Sequence, residues 1–325
     1  MTEDGKIYWA WLQLSLGAGS FKPKRILSYF PDIPSFYDAG PTQWRSMGLF
    51  TPKELKQLSQ NTLEDGKILI DSSEEKGIQT ITPDCKAYPK RLYQIDNPPC
   101  MLYVKGTLPN LDEQPALAVV GTRNATTSGK QITYDLSMQL AQAGMVIVSG
   151  GAKGIDTAAH QGALQVNGTS VCVLGCGIHY PYLMENESMR RSIAEHGAII
   201  SEFPITKPAF KHHFPIRNRI ISGLSVGVLV VEAAERSGSL ITARTALEQN
   251  RDVFAVPCGI YNPVSEGVNN LIKAGAKPVT KVQDILEEYT STYLLQLEQL
   301  KTESQFKKKE EQILYQKSRP DKVFD

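Results

Sequence analysis

From Pro115 onward, the chain alternates short uninterrupted apolar runs with longer stretches whose apolar residues recur at helical spacing. The runs ALAVVG, MVIVSG, TSVCVLG, AIISEF, VGVLVV and DVFAVP, and a weaker KPVTK, are apolar at successive positions rather than at every second one. A strand reads this way when both of its faces are covered, as in a parallel sheet between two helical layers. The intervening GKQITYDLSMQLAQAG, GIDTAAHQGALQV, NESMRRSIAEHG, PIRNRIISGL and SLITARTALEQN have helical periodicity and frequently stop at Gly or Asn. The alternation predicts a doubly wound, mostly parallel α/β domain over residues 115–290. Ligands of such sheets bind beyond the carboxyl ends of the strands.

The flanking regions differ in kind. Residues 1–60, with WAWLQLSLGAGSFKPKRILSYF and TPKELKQLSQ, read as a small all-helical domain punctuated by Pro and Gly. Residues 61–114 form a connection in which GIQTITP and CMLYVKG read as additional edge strands. Residues 291–325 are highly charged with a thin line of leucines, the pattern of a solvated helix or a tail.

Composition changes this picture little. At 41% apolar and 21% charged residues, the chain reads as globular. Its opening residues are acidic where a signal peptide needs positive charge, and its first apolar run is broken by Gln13 and Ser15, so no membrane association and a cytoplasmic location are expected. The five cysteines are scattered without a C-x-x-C pair, which points to no metal and to reduced, structural thiols. A net charge of +1 supplies no global attraction to nucleic acid, so a polyanion site must arise from local clustering.

Such a cluster exists. KHHFPIRNRIISG, from Lys211 to Gly223, has three strong bases, two histidines and no acid. Small residues also open the loops after several strands: VVGTRNATTSG, VSGGAKGID, VLGCGIHYPY and VVEAAERSGSLITA. Glycine permits close backbone approach to an anion, and the helix that follows aims free N–H groups at it. Gly121, Arg123, Ser149, Gly150, Lys153, Gly154, Gly175, Ser237 and Gly238 are therefore expected to share one anion-binding rim with Lys211, Phe214, Arg217, Asn218 and Arg219. Phe214, flanked by polar residues, is read as a face on which a base stacks. Arg217 and Arg219 are two positions apart on a helix and point in nearly opposite directions, so one is expected to meet ligand and the other to anchor the helix. Ser149, Ser237 and Ser239 fit phosphate contacts or helix caps better than nucleophiles.

Signals for catalysis are thin. Asp156 and His160 share a helical face, but with no nucleophile elbow beside them they read as a capping acid and a packed ring. The segment GCGIHY matches only two glycines of the dinucleotide fingerprint, and no G-x-x-x-x-G-K-[ST] occurs.

The motifs AVVGTRNATTSG, IVSGGAKGIDTAAHQGAL, VLGCGIHYPYLMENESMRRSIAEHGAIISEFP, FPIRNRIISGLSVGVLVVEAAERSGSLITARTALEQNRDVFAVP and EGVNNLIKAGAKPV together closely resemble the DprA/Smf family of DNA-processing proteins over about residues 80 to 287. More loosely, LGAGSFKPKRIL resembles that family's degenerate helix-hairpin-helix segment. The resemblance implies an extended Rossmann-like fold that binds single-stranded DNA without marked sequence preference, forms a homodimer and helps load the RecA recombinase during natural transformation. It places the family's G-[ST]-R arginine at Arg123, its lysine and aromatic at Lys211 and Phe214, its R-N-R at Arg217, Asn218 and Arg219, and its glycine-rich loop at Ser149, Gly150 and Gly154, with Lys153 as that loop's base. Many members end in a winged helix; the charged pattern of residues 291–325 has no helix-turn-helix core, so functions of that domain are not expected.

The expectation is thus a DNA-binding protein without catalytic activity or cofactor. The rival reading is a Rossmann-like enzyme resembling nucleoside-monophosphate phosphoribohydrolases of the lysine-decarboxylase-like type. Those families carry P-G-G-x-G-T-x-x-E, whereas this chain has RSGSLITA, with Ala243 about where the glutamate is needed. A dinucleotide-dependent oxidoreductase fits less well, because the first strand-helix unit lacks both the fingerprint and its acidic ribose-binding residue.

Overall fold

In a computed structural model, which describes residues 4–293, nine strands form one sheet in the order β1-β2-β6-β5-β4-β3-β7-β8-β9. The doubly wound part begins with β3 (Ala116–Val120), β4 (Val146–Ser149), β5 (Ser170–Leu174) and β6 (Ala198–Ser201) on one side. It continues with β7 (Gly227–Val230), β8 (Asp252–Ala255) and β9 (Lys277–Pro278) on the other, all parallel. This is an extended Rossmann-like sheet. Before it, β1 (Gln79–Ile81) and β2 (Leu102–Gly106) lengthen the β6 edge in antiparallel sense.

Continuous apolar runs are explained by burial on both faces. Ala116, Ala118 and Val120 of β3 pack with Val228, Val230, Ile220 and Ala243 in one core layer, while Leu117 and Val119 pack with Leu140, Ile155 and Phe254 in the other. Helices α7 (Thr127–Gln142), α8 (Ile155–Gln165) and α9 (Glu187–His196) connect β3 to β6, whereas α10 (His213–Gly223) crosses over to β7. α11 (Gly238–Glu248), α12 (Glu266–Lys273) and α13 (Gln283–Tyr289) complete the far side.

Ahead of the sheet lie α1 (Asp4–Leu16), α2 (Lys22–Ile26), α3 (Ile33–Ser46), α4 (Pro52–Gln60) and α5 (Leu63–Glu74), with the short α6 (Lys90–Tyr93) between β1 and β2. The α3 segment breaks at Gly40, whose φ of 73° precedes Pro41. Thr51 and Thr62 each form a capping box, with Glu54 and Asp65, so the stretch TPKELKQLSQNTLEDG yields two helices and the helical region runs past residue 60 to Glu74. Trp11, Phe36 and Trp44 make its aromatic core.

A glycine hairpin docks this region on the sheet. Gly17 and Gly19 have φ of 75° and 81°, and a Cβ on Gly19 would lie 2.7 Å from the Ile216 side chain of α10. Gly19 N–H donates to Glu202 Oε1 at 2.9 Å, and Gln13 Nε2 donates to the Glu202 carbonyl at 2.9 Å. The N-terminal region therefore bears on α10 through Ile216 and on the segment after β6 through Glu202. Among the described residues, no helix is long and apolar enough to cross a membrane. The charged segment 294–325 lies outside the described residues.

Candidate nucleic-acid interface

β3 and β7 are neighbours, yet the chain leaves β3 toward β4 and leaves β7 toward β8. Their following loops diverge, and a doubly wound sheet opens a crevice at such a point. A cavity of about 310 Å³ lies here, lined by Gly121 and Arg123 after β3, Phe214, Arg217 and Asn218 of α10, and the Ser237–Ser239 start of α11.

Phe214 is half-buried at its edge. The Arg123 guanidinium stands 5.0 Å above the ring centroid, that of Arg217 lies at 5.8 Å, and Tyr182 packs at 5.6 Å with a 46° tilt. Gly175 lies beneath the ring, where a Cβ would come within 3.1 Å of it. Arg123 is exposed, so a solvent-accessible cation lies over the face of a half-buried ring. Lys211, three residues earlier on the chain, is also exposed.

Arg217 is 4% exposed and reaches inward, where Nη1 donates to the Gly150 carbonyl at 2.7 Å and to the Val173 carbonyl. A Cβ on Gly150 would lie 2.4 Å from Nη1, so only glycine lets this side chain pass. Burial lowers the Arg217 pKa, against the pull of Asp156. Asp156 lines the same cavity, accepts from Ala152 N–H at 3.3 Å, and has its pKa raised by burial. Across the mouth, Ser237 caps α11 by accepting from Ser239 N–H at 3.4 Å.

The sequence family described as DNA recombination-mediator protein A matches residues 79–290. The chain belongs to that family. DNA processing protein DprA of Bacillus subtilis is 44% identical over 214 residues, spanning 66% of this chain and 72% of the relative. The X-ray structure of DprA from Streptococcus pneumoniae superposes with a TM-score of 0.75 at 34% identity, covering 89% of this chain and 98% of that one. A structure of DprA from Helicobacter pylori, described as giving insight into a unique single-stranded DNA binding mode, has a TM-score of 0.60 at 32% identity, covering 66% of this chain and 97% of that one.

Not all DprA-like motif residues converge on the crevice. Arg219 is 5% exposed on the opposite side of α10, where Nη2 donates to both Glu202 oxygens at 2.8 Å; the structure thus makes it the anchor and removes it from the rim. Ser149 is fully buried and its hydroxyl donates to the Val119 carbonyl at 2.6 Å, so it braces two strands instead of facing a ligand. Lys153, in the loop just before α8, projects into a separate cleft between α7 and α8, paired with Glu185 at 2.6 Å, which raises its pKa. Gly154, at φ 80°, brings α8 against the Thr122 carbonyl, 2.4 Å from where a Cβ would stand.

His160 is wholly buried. Ser170 donates its own proton to the Ile147 carbonyl and accepts from His160 Nδ1, 2.8 Å away, so the ring is held in one neutral tautomer. Desolvation, aided by the Arg217 charge, pushes its pKa down to about 3. Burial pushes the Cys172 and Cys176 thiols up to about 12 and about 11, far from reactive thiolates. Among the described residues, no group of three or more His, Cys, Asp or Glu is arranged to hold a metal. Sequence reasoning missed Tyr182 as a wall of the Phe214 platform and took Asp156 only for a capping acid, not for part of the cavity; Tyr182 arrives from the loop after β5 and Asp156 from the first turn of α8, so their meeting has no local signal.

Proposed function

We propose that this chain binds single-stranded DNA without marked sequence preference, acts in DNA processing and recombination without a catalytic step of its own, and helps load RecA onto the bound strand. The observation that carries this reading is the exposed Arg123 guanidinium lying over the half-buried Phe214 ring at the mouth of the switch-point cavity. Phosphates lie against Arg123, Lys211 and the N–H groups at the start of α11, while a base stacks on the open part of the ring or on the guanidinium plane. Stacking and phosphate contact are available from every nucleotide, which accounts for indifference to sequence. The likeness to Helicobacter pylori DprA, a protein described as binding single-stranded DNA, supports the same ligand.

A homodimer in the cytoplasm completes the proposal, with its interface on the C-terminal half of the sheet. Two rims on one particle hold a long strand at two points and raise the effective concentration of the second contact. The rival phosphoribohydrolase reading needs a carboxylate on α11, where the corresponding Ala243 is buried against the sheet.

Titration with fluorescent oligo-dT and with a duplex of equal length, at two salt concentrations, tests the proposal. Tighter binding of the single strand with a salt-dependent constant is expected; equal affinity for both forms overturns it. Light scattering reads the dimer, and RecA filament growth on the protein-bound strand reads loading.

A further inference from the structure

In a doubly wound sheet, the helix that follows the first parallel strand presents its N-terminus as the seat for a nucleotide's phosphate. Here that helix is α7, and its mouth is filled from within. Glu232, two residues beyond the end of β7 and 3% exposed, extends its carboxylate across the crevice. Thr126 N–H donates to Oε2 at 2.9 Å and the Thr126 hydroxyl to Oε1 at 2.6 Å. The Glu232 backbone carbonyl also accepts from Thr122 N–H at 2.7 Å, tying down the loop that carries Arg123. Gly129, on the first turn of α7, is where a Cβ would stand 2.3 Å from Glu232 Cδ, so the helix has glycine where the acid enters. Gly129 N–H is itself capped by Thr126 Oγ1 at 2.9 Å.

We propose that Glu232 is a resident substitute for a phosphate group: it closes the mononucleotide seat of the fold and so determines specificity against free nucleotides. The carboxylate meets the donors and the helix dipole as a phosphate oxygen would. What stays open is the neighbouring cavity beneath Arg123 and the start of α11, from whose walls Glu232 is absent. That opening suits a strand passing over a rim. Only this last step rests on the single-strand reading; the filled seat stands on its own geometry.

The test is Glu232→Ala, probed with inorganic phosphate and with ADP by calorimetry and thermal shift, alongside the parent. The expected result is saturable binding and a raised melting temperature in the variant and neither in the parent, with the gain abolished by adding Thr126→Val. A carboxylate that only caps a helix predicts lower stability and no gained ligand, and a folded Glu232→Ala that binds neither probe overturns the proposal. So does a parent that binds ADP equally well. Should the variant be unfolded in chloride buffer, recovery on refolding with phosphate or acetate is expected, and failure with both counts against the proposal. Oligo-dT binding by the parent is measured separately; its loss would sink the single-strand reading while leaving the anion gain intact.

Discussion

Two sides of α10 use arginine for opposite ends. Toward the N-terminal helices, Arg219 is matched by the Glu202 carboxylate, which also accepts from Gly19 N–H, and the charge is neutralised where no solvent reaches. Toward the crevice, Arg217 is held by the carbonyls of Gly150 and Val173, and Arg123 lies on an aromatic face. Carbonyl and ring partners orient a guanidinium without cancelling its charge, and Asp156 acts on Arg217 without forming an ion pair with it, whereas the Glu202 carboxylate bonds Arg219 directly. The partner thus decides whether an arginine is neutralised or only oriented, although Arg217 and Arg219 stand only two positions apart.

Breaking the sealed side should have the largest effect. Arg219→Ala leaves the Glu202 carboxylate buried without its cation, and a loss of about 3–5 kcal/mol is expected in urea unfolding. Combining Arg219→Met with Glu202→Gln should restore much of that loss. If the single variant is as stable as the parent, the junction does not depend on this pair.

Next comes acidity, through His160. Its folded pKa of about 3 lies below the ordinary 6.5, so the unfolded chain binds a proton that the folded ring refuses. Stability is therefore full above pH 6.5 and falls as pH drops toward 3; roughly 3 kcal/mol should be gone by pH 4. Asp156, whose pKa is raised, works in the opposite direction, so the comparison is made with His160→Asn, in which Asp156 is unchanged. Parallel pH profiles for parent and variant would contradict the burial argument.

On the open side the effects are on binding. Arg123→Ala should weaken oligo-dT affinity roughly tenfold for every sequence and flatten the salt slope by up to about 0.7. With Arg123 and Lys211 as the contributing cations, the parent slope is expected to be about −1.4, from ~0.7 per phosphate. The smallest effect is expected from Lys153→Ala, since its exposed pairing with Glu185 adds nothing measurable to stability and already occupies the ammonium. A larger loss of strand binding from Lys153 than from Arg123 would move the centre of the interface into the α7–α8 cleft.

Much of the fold was legible because the apolar runs are long and unbroken. ALAVVG, MVIVSG and TSVCVLG each became a strand buried on both faces, with small residues opening the loop that follows. The break in α3 was less legible, although Gly40-Pro41 marks it, because the flanking turns share one amphipathic pattern. At the site, Arg123 and Phe214 could be singled out by residue type and polar flanks. Ser149 could not be excluded: a serine at a strand end looks the same whether it faces a ligand or, as here, the Val119 carbonyl.

Periodicity and turn chemistry act over a few residues, so the chain by itself determined its layers, the run of parallel strands and the glycine-opened loops at their carboxyl ends. Partnership is a matter of three dimensions. Only the folded structure decided that Glu202 meets Gly19 across 183 positions, that Glu232 enters the mouth of α7, and that Lys153 is paired while Arg123 is stacked. A charge is neutralised by whatever lies within a few ångströms, and the topology of the sheet, not the neighbouring letters, sets who that is.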